Sequence, residues 1–151
     1  MITIGIRATP KVIYYAIVDT QDSSIVTIDE IVIPLAFETH DALKYVRSNV
    51  LDILREYKVE QAGVRTTEPS SQQKNIDRIQ IEGVIIEAFA SSGLKKYYYG
   101  QISTIAARIG KNRDEILPMV DGTAEVDIQN WADISKEKRE AILCAMGAEK
   151  C

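Results

Sequence analysis

Cysteine and histidine are scarce in this chain. Two cysteines, Cys144 and Cys151, and one histidine, His40, occur among 151 residues. There is no CxxC pair and no Cys/His cluster, so a zinc site of the usual tetrahedral kind is excluded and the thiols are expected to be reduced and structural. No apolar run approaches the ~20 residues of a membrane span. Arg7 and Lys11 interrupt the apolar pattern near the N-terminus and no small-residue cleavage site follows. A signal peptide is therefore not expected, and a cytoplasmic location is the default. No GxxxxGK phosphate loop and no GxGxxG turn occurs, so nucleotide binding of those kinds is not indicated. No Gly-x-Ser-x-Gly elbow occurs either. His40 falls at a helix start, where a surface or capping role outweighs that of a general base.

What is present is ordinary for a globular protein. Apolar residues make up 46% and charged residues 26%, and 18 Lys and Arg against 22 Asp and Glu leave a net charge of −4. A chain of this length buries roughly 70% of its unfolded surface, enough for one core and one domain spanning residues 1–151. The acidic balance argues against a surface that is one continuous nucleic-acid footprint. Local basic patches remain open at Lys95 and Lys96, Arg108, Lys111 and Arg113, and Lys136, Lys138 and Arg139, though each also reads as a solvated face.

Periodicity sets the order of elements. Residues 2–7 alternate apolar and polar positions, residues 12–18 are rich in branched and aromatic side chains, and residues 25–33 form a third strand that Pro34 helps to end. Short loops between them predict an antiparallel meander. From Asp41 to Tyr57 the apolar spacing becomes three and four, an amphipathic helix. Gln61 to Arg65 reads as a fourth strand. Ser70 with Gln73 reads as a capping box opening a helix to about Ala90, with Ile76, Ile79, Gly83, Ile86 and Ala90 on the inward stripe. A mid-helix glycine costs about 1 kcal/mol relative to alanine, so Gly83 suggests close approach of another backbone. Lys95 to Tyr99 is a fifth strand. Short helices follow at Gln101 to Ile109 and Arg113 to Val120. Residues 123–133 are loop-like around Trp131, which reads as a lid on the core. A last helix starts near Asp133 or Ser135 and runs to about Met146. Tyr97, Tyr98 and Tyr99 alternate faces, as packing residues or as a stacking ring for a base. There is no linker, repeat or low-complexity stretch. With right-handed crossovers, the predicted sheet order is 3-2-1-4-5, strand 2 antiparallel, with helices on both faces.

This order, and several short motifs, resemble the ribonuclease H-like fold and, within it, RuvC-type Holliday-junction resolvases. Ile4-Gly5-Ile6-Arg7 is similar to the opening Ile-Gly-Ile-Asp of those enzymes. Ala62-Gly63-Val64-Arg65 and the helix carrying Gln80-Ile81-Glu82-Gly83 resemble the second catalytic strand and the helix behind it. Gln101 to Gly110 looks like the helix after the fifth strand. Glu137-Lys138-Arg139-Glu140-Ala141-Ile142 resembles the final helix, where the family carries two Asp three residues apart.

The resemblance implies four carboxylates holding two magnesium ions about 4 Å apart, one activating water and the other stabilising the leaving oxygen. This sequence departs from that pattern at both strand positions. Arg7 stands where the family has Asp and Arg65 where it has Glu, and only Glu137 and Glu140 survive in kind. Two Arg and two Glu neutralise one another without any ion, and a guanidinium repels a divalent cation and fills its volume. The expectation is an ion-pair cluster in which both glutamates face both arginines, since Arg pairs with carboxylates bidentately. On this reading no residue is catalytic, no metal or other cofactor is bound, and the chain is a pseudo-nuclease. Its expected partners are a protein or a second copy in a homodimer, with weak DNA or RNA contact, and no membrane or small-molecule substrate. Alternatively it is an active Mg²⁺-dependent endonuclease with rearranged acids, for which Glu68 is the reserve candidate alongside Glu137 and Glu140. Asp19, Glu60, Asp127 and Asp133 are the remaining acids to place.

Overall fold

The computed structural model describes residues 1–151. Strands β1 (Ile2–Ala8), β2 (Val12–Asp19) and β3 (Ser24–Val32) form the antiparallel meander. Helix α1 (Thr39–Glu56) carries the chain across to β4 (Gln61–Arg65), which lies parallel to β1, and α2 (Ile76–Ser91) carries it on to β5 (Lys96–Gly100), parallel to β4. The sheet order is β3-β2-β1-β4-β5, as the element order with right-handed crossovers predicts. Helices α3 (Ile102–Arg108), α4 (Arg113–Asp121) and α5 (Lys136–Ala148) complete the chain, with a single 3₁₀ turn at Trp131–Asp133. No helix is long and apolar enough to cross a membrane.

Strand alternation gives the sheet two apolar faces. Ile4, Ile6, Ile13, Ile17, Ala62 and Val64 point to one face and pack against α1 through Val46 and Val50 and against α2 through Ile81, Ile85 and Phe89. Ala16 and Tyr98 point to the other and pack with Ile105, Ile116, Trp131, Ile142 and Leu143 of the C-terminal helices. Helix α5 lies almost against β1. A Cβ added at Gly5 would fall 2.0 Å from the Ala141 carbonyl oxygen and 2.2 Å from the Ala145 nitrogen. The Thr3 hydroxyl donates to the Ala145 carbonyl at 2.8 Å, which satisfies a fully buried polar side chain. On the same face the Tyr98 hydroxyl donates to the Cys144 carbonyl at 2.8 Å.

Helix α2 departs from the expected stripe. Its buried positions are Ile81, Glu82, Ile85, Ala88 and Phe89, while Ile76 and Ile79 are exposed. Apolar residues occur nearly all round this helix, so spacing alone does not select a face. Gly83 is exposed and an added Cβ would meet nothing within 4 Å, so no second backbone approaches it. Nor does Ser70 open the helix. The N-cap is Asn75, whose side chain accepts the Arg78 N–H at 3.0 Å. Residues 70–75 offer no apolar position to bury, and a cap without an apolar face does not start a helix. The last helix does start where expected, with Ser135 as its N-cap.

Candidate functional site

Strands β1 and β4 run parallel, yet the chain leaves them toward opposite sides of the sheet. Such a reversal opens a crevice beyond the carboxyl ends of the two strands, which is where open α/β sheets bind their ligands. Arg7 and Arg65 are direct Cα partners in this pairing, each at or next to the end of its strand. Strand alternation turns both toward the α5 face, with Gly5 and Gly63 behind them.

The close seating of α5 on Gly5 brings Glu140 to the same level. Arg7 Nε donates to Glu140 Oε2, with the two side chains 15% and 3% exposed. Arg65, 8% exposed, holds its Nε 3.6 Å from the other oxygen, Glu140 Oε1. Glu140 thus bridges both guanidinium groups. Arg7 also donates to the Ala8 carbonyl and Arg65 to the Thr66 carbonyl. Arg65 pairs outward with Glu68, Nη2 to Oε1 at 3.2 Å, and Glu68 accepts the Ile102 N–H at 3.2 Å. The Arg65 Nε–H has no hydrogen-bond acceptor.

Glu137 does not join this cluster, which corrects the expectation of a four-membered site. It is half-buried and pairs with no cation within 4 Å. Three residues along a helix rotate a side chain about 60° from its neighbour and shift it by nearly a turn. Glu137 therefore lies beyond the end of β1, where its charge reaches Tyr14. The Tyr14 phenol is pushed up by burial first, then by Glu137 and Glu30, while Arg7 opposes them.

Two further residues that the sequence reading left out of the site flank it. Glu82, almost fully buried on α2, accepts the Thr67 N–H at 3.0 Å, the Thr67 hydroxyl at 2.9 Å and the Arg78 Nε–H at 2.9 Å. Burial is the main cause holding the Arg78 guanidinium below its ordinary value. The positive charges of Arg7 and Arg65 add to it, against the opposing pull of Glu82. Three guanidinium groups thus gather near the carboxyl ends of the central strands β1 and β4. In the sequence Arg78 and Glu82 show only as an Arg and a Glu four residues apart, a pattern that by itself reads as a solvated helix pair.

The other candidates lie elsewhere. Arg139 is not a surface cation: it is buried, and donates from Nε to the Val120 carbonyl at 2.8 Å and from Nη1 to the Ile134 carbonyl. Lys95 pairs with Glu60, Lys111 with Glu115 and Lys136 with Asp121. Lys96 and Arg108 donate to the carbonyls of Cys151 and Lys150. Asp19 faces the N-terminal amine. Asp133 sits in the 3₁₀ turn, and Asp127 lines a separate cavity on the α5 face. His40 is exposed between Glu38 and Asp41. Trp131 is buried and donates to the Met119 carbonyl at 2.8 Å, closing the second core as its lid. Of the tyrosine run, Tyr98 is buried under Arg108, while Tyr97 and Tyr99 are exposed.

No protein-family model matches the chain, and no curated protein matches it in sequence. Solved structures do match. Thermus thermophilus RuvC superposes with a TM-score of 0.69 at 14% identity, over 97% of this chain and 92% of that one. The T. thermophilus RuvC complex with a Holliday junction substrate gives 0.70 at 15%, with the same coverage. The yeast mitochondrial Holliday junction resolvase gives 0.56 at 13%, over 98% of this chain and 77% of that one. The fold is RuvC-like.

In a RuvC-like fold the resemblance of the strand motifs calls for a two-metal centre at these strand ends. The residues present do not fit one. Hard divalent cations take oxygen ligands, with one or more carboxylates free to coordinate them. Here Glu140 is held between two guanidinium groups, Oε2 by a hydrogen bond from Arg7 and Oε1 facing Arg65 Nε at 3.6 Å, and Glu82 already accepts from Thr67 and Arg78. No three His, Cys, Asp or Glu side chains are grouped so as to hold a metal ion, and Glu68, Glu137 and Glu140 are not gathered into a relocated site.

Proposed function

We propose that this chain is a nucleic-acid-binding domain of RuvC-like fold that binds without cleaving. The observation that carries the reading is the Arg7–Glu140–Arg65 bridge at the ends of β1 and β4. An ion-pair bridge keeps the pocket's shape and charge balance while its two cations take the volume and carboxylate oxygens that metal ions need. Hydrolysis of a phosphodiester by a metal-activated water then has no support at this position. The same guanidinium groups are suited to phosphate, because a planar fork presents paired donors to its oxygens. The RuvC-like architecture, shared with a structure solved on a Holliday junction substrate, supports nucleic acid as the partner.

A protein partner or a second copy is the second reading. It is favoured by exposed apolar side chains at Leu35 and Phe37 after β3 and at Ile76 and Ile79 of α2. A combined cleavage and gel-shift assay on branched, double-stranded and single-stranded substrates, with Mg²⁺ and with Mn²⁺ at low salt, separates the readings. The expected outcome is a shift without cleavage. Metal-dependent cleavage overturns the proposal in favour of an endonuclease with rearranged acids, and neither shift nor cleavage favours the protein partner.

A further inference from the structure

Two carboxylates contact Arg65, and they differ in kind. Glu140 is almost fully buried and bridges to Arg7. Glu68 is 38% exposed and stands on the irregular segment between β4 and α2. Its hold is one ion pair and one backbone hydrogen bond, each at 3.2 Å. Freeing a partly exposed carboxylate from such contacts costs little, because water replaces them. Freeing Glu140 would strand two buried cations.

Beside Arg65 and Glu140 a cavity of about 260 Å³ opens toward solvent, between the segment that carries Glu68 and the helices α3, α4 and α5. Arg113 and Lys136 bring two further cations to it, and Ser70 and Ser103 bring hydroxyls. Lys136 is paired with Asp121 at 3.7 Å, whereas Arg113 makes no ion pair. With Glu68 set aside, the lining holds three cations against Asp121 and Glu140, and Arg7 already takes up one oxygen of Glu140. The Arg65 Nε–H is buried, lies 3.6 Å from Glu140 Oε1 and has no hydrogen-bond acceptor, so the protein does not fully satisfy this guanidinium.

We propose that this cavity seats a phosphate group, and that in the free protein the Glu68 carboxylate occupies the guanidinium face of Arg65 as a displaceable internal anion. Glu68 shows what the face accepts: an anionic oxygen held jointly by a guanidinium and a backbone N–H. The cavity exceeds what one carboxylate fills, and its additional cations and hydroxyls suit an anion with three or four oxygens. The proposal rests on the nucleic-acid reading only for the source of the phosphate. On that reading Glu68 makes binding a competition, which weakens contact with stray anions and favours a polyanion that places a phosphate in the cavity while other contacts hold it.

The test is calorimetric titration of inorganic phosphate into the intact chain, its Glu68→Gln variant, a Glu56→Gln control of equal net charge, exposed at the end of α1, and the double variant Glu68→Gln/Arg113→Gln. Phosphate should bind Glu68→Gln about fivefold more tightly than wild type. The gain should be absent from Glu56→Gln and abolished by Arg113→Gln. Equal affinity for Glu68→Gln and wild type, an equal gain in Glu56→Gln, or a gain that survives Arg113→Gln overturns the proposal.

Fluorescence anisotropy with a single-stranded oligonucleotide, with and without a 5′-phosphate, identifies the source. A matching gain on the unphosphorylated strand assigns the seat to an internal phosphodiester. A gain confined to the phosphorylated strand assigns it to a terminal phosphate. If phosphate shows the gain and neither strand binds, the seat stands and the nucleic-acid reading falls. If strands bind both proteins equally and phosphate shows no gain, the reverse holds.

Discussion

Glu140 is the residue on which the strand-end cluster turns. It is the one carboxylate shared by two buried or nearly buried guanidinium groups. Removing it leaves two cations in a low-dielectric site, a loss of about 3–5 kcal/mol for a broken buried pair. Glu140→Gln should therefore lower stability by that amount in denaturant titration. Glu137→Gln, in the same helix but without a partner, should stay within about 0.5 kcal/mol of wild type. The sequence distinguished these two glutamates poorly, because a spacing of three places both on neighbouring sides of one helix face. What separates them is the end of β1: Glu140 is level with Arg7, and Glu137 is past it. Arg7 and Arg65 were legible because they stand at the strand positions where the resolvases that the sequence resembles carry acids. Glu82 and Arg78 were not, because an i,i+4 pair usually lies on a solvated helix face and nothing local revealed that this one meets Thr67.

The contact between α5 and β1 is the element-scale feature that makes the site. It depends on Gly5, where a side chain would collide with helix backbone rather than with a movable side chain. Gly5→Ala must push the helix off the sheet, and a loss of about 3 kcal/mol is expected from overpacking of this kind, with a lower melting temperature as readout. Gly83→Ala should behave oppositely. It lies in an exposed helix interior with open space around it, so a gain of up to about 1 kcal/mol follows from helix propensity. Most elements were legible because a period of two shows directly in β1 and one of three to four in α1, while branched and aromatic side chains mark β2. The entry to α2 was not, since Ser70 and Gln73 satisfy a local capping pattern that only tertiary burial could endorse. Its inward face was not either, since apolar residues surround the helix.

For the whole molecule, groups buried in both cores couple stability to alkaline pH. Burial pushes the Tyr15 phenol up to about 12 and raises the Tyr98 phenol strongly. It also pushes the Cys144 thiol up to about 12. In the unfolded chain these groups lose their protons near pH 9 to 10, where the folded protein still holds them. The native state then binds more protons than the unfolded one, so stability falls with rising pH. It should be fully present below about pH 9 and decline steadily from there to about pH 12, as followed by denaturant midpoints across that range. A flat profile would mean that the phenols and the thiol are not enclosed as described.

The same scale holds the relation between fold and chemistry. The RuvC-like frame is retained over nearly the full chain, while the strand-end residues carry charge opposite to that expected of a metal centre. Substituting both arginines, Arg7→Asp with Arg65→Glu, should place acids at the strand ends beside Glu140 and Glu82. The variant should be less stable without metal and be partly restored by Mn²⁺ in thermal denaturation. The most direct measurement is calorimetric titration of Mn²⁺ into the unaltered protein. With Glu140 held between Arg7 and Arg65, no saturable heat should appear at millimolar concentrations. Saturable binding of two ions, abolished by Glu140→Gln, would contradict the account.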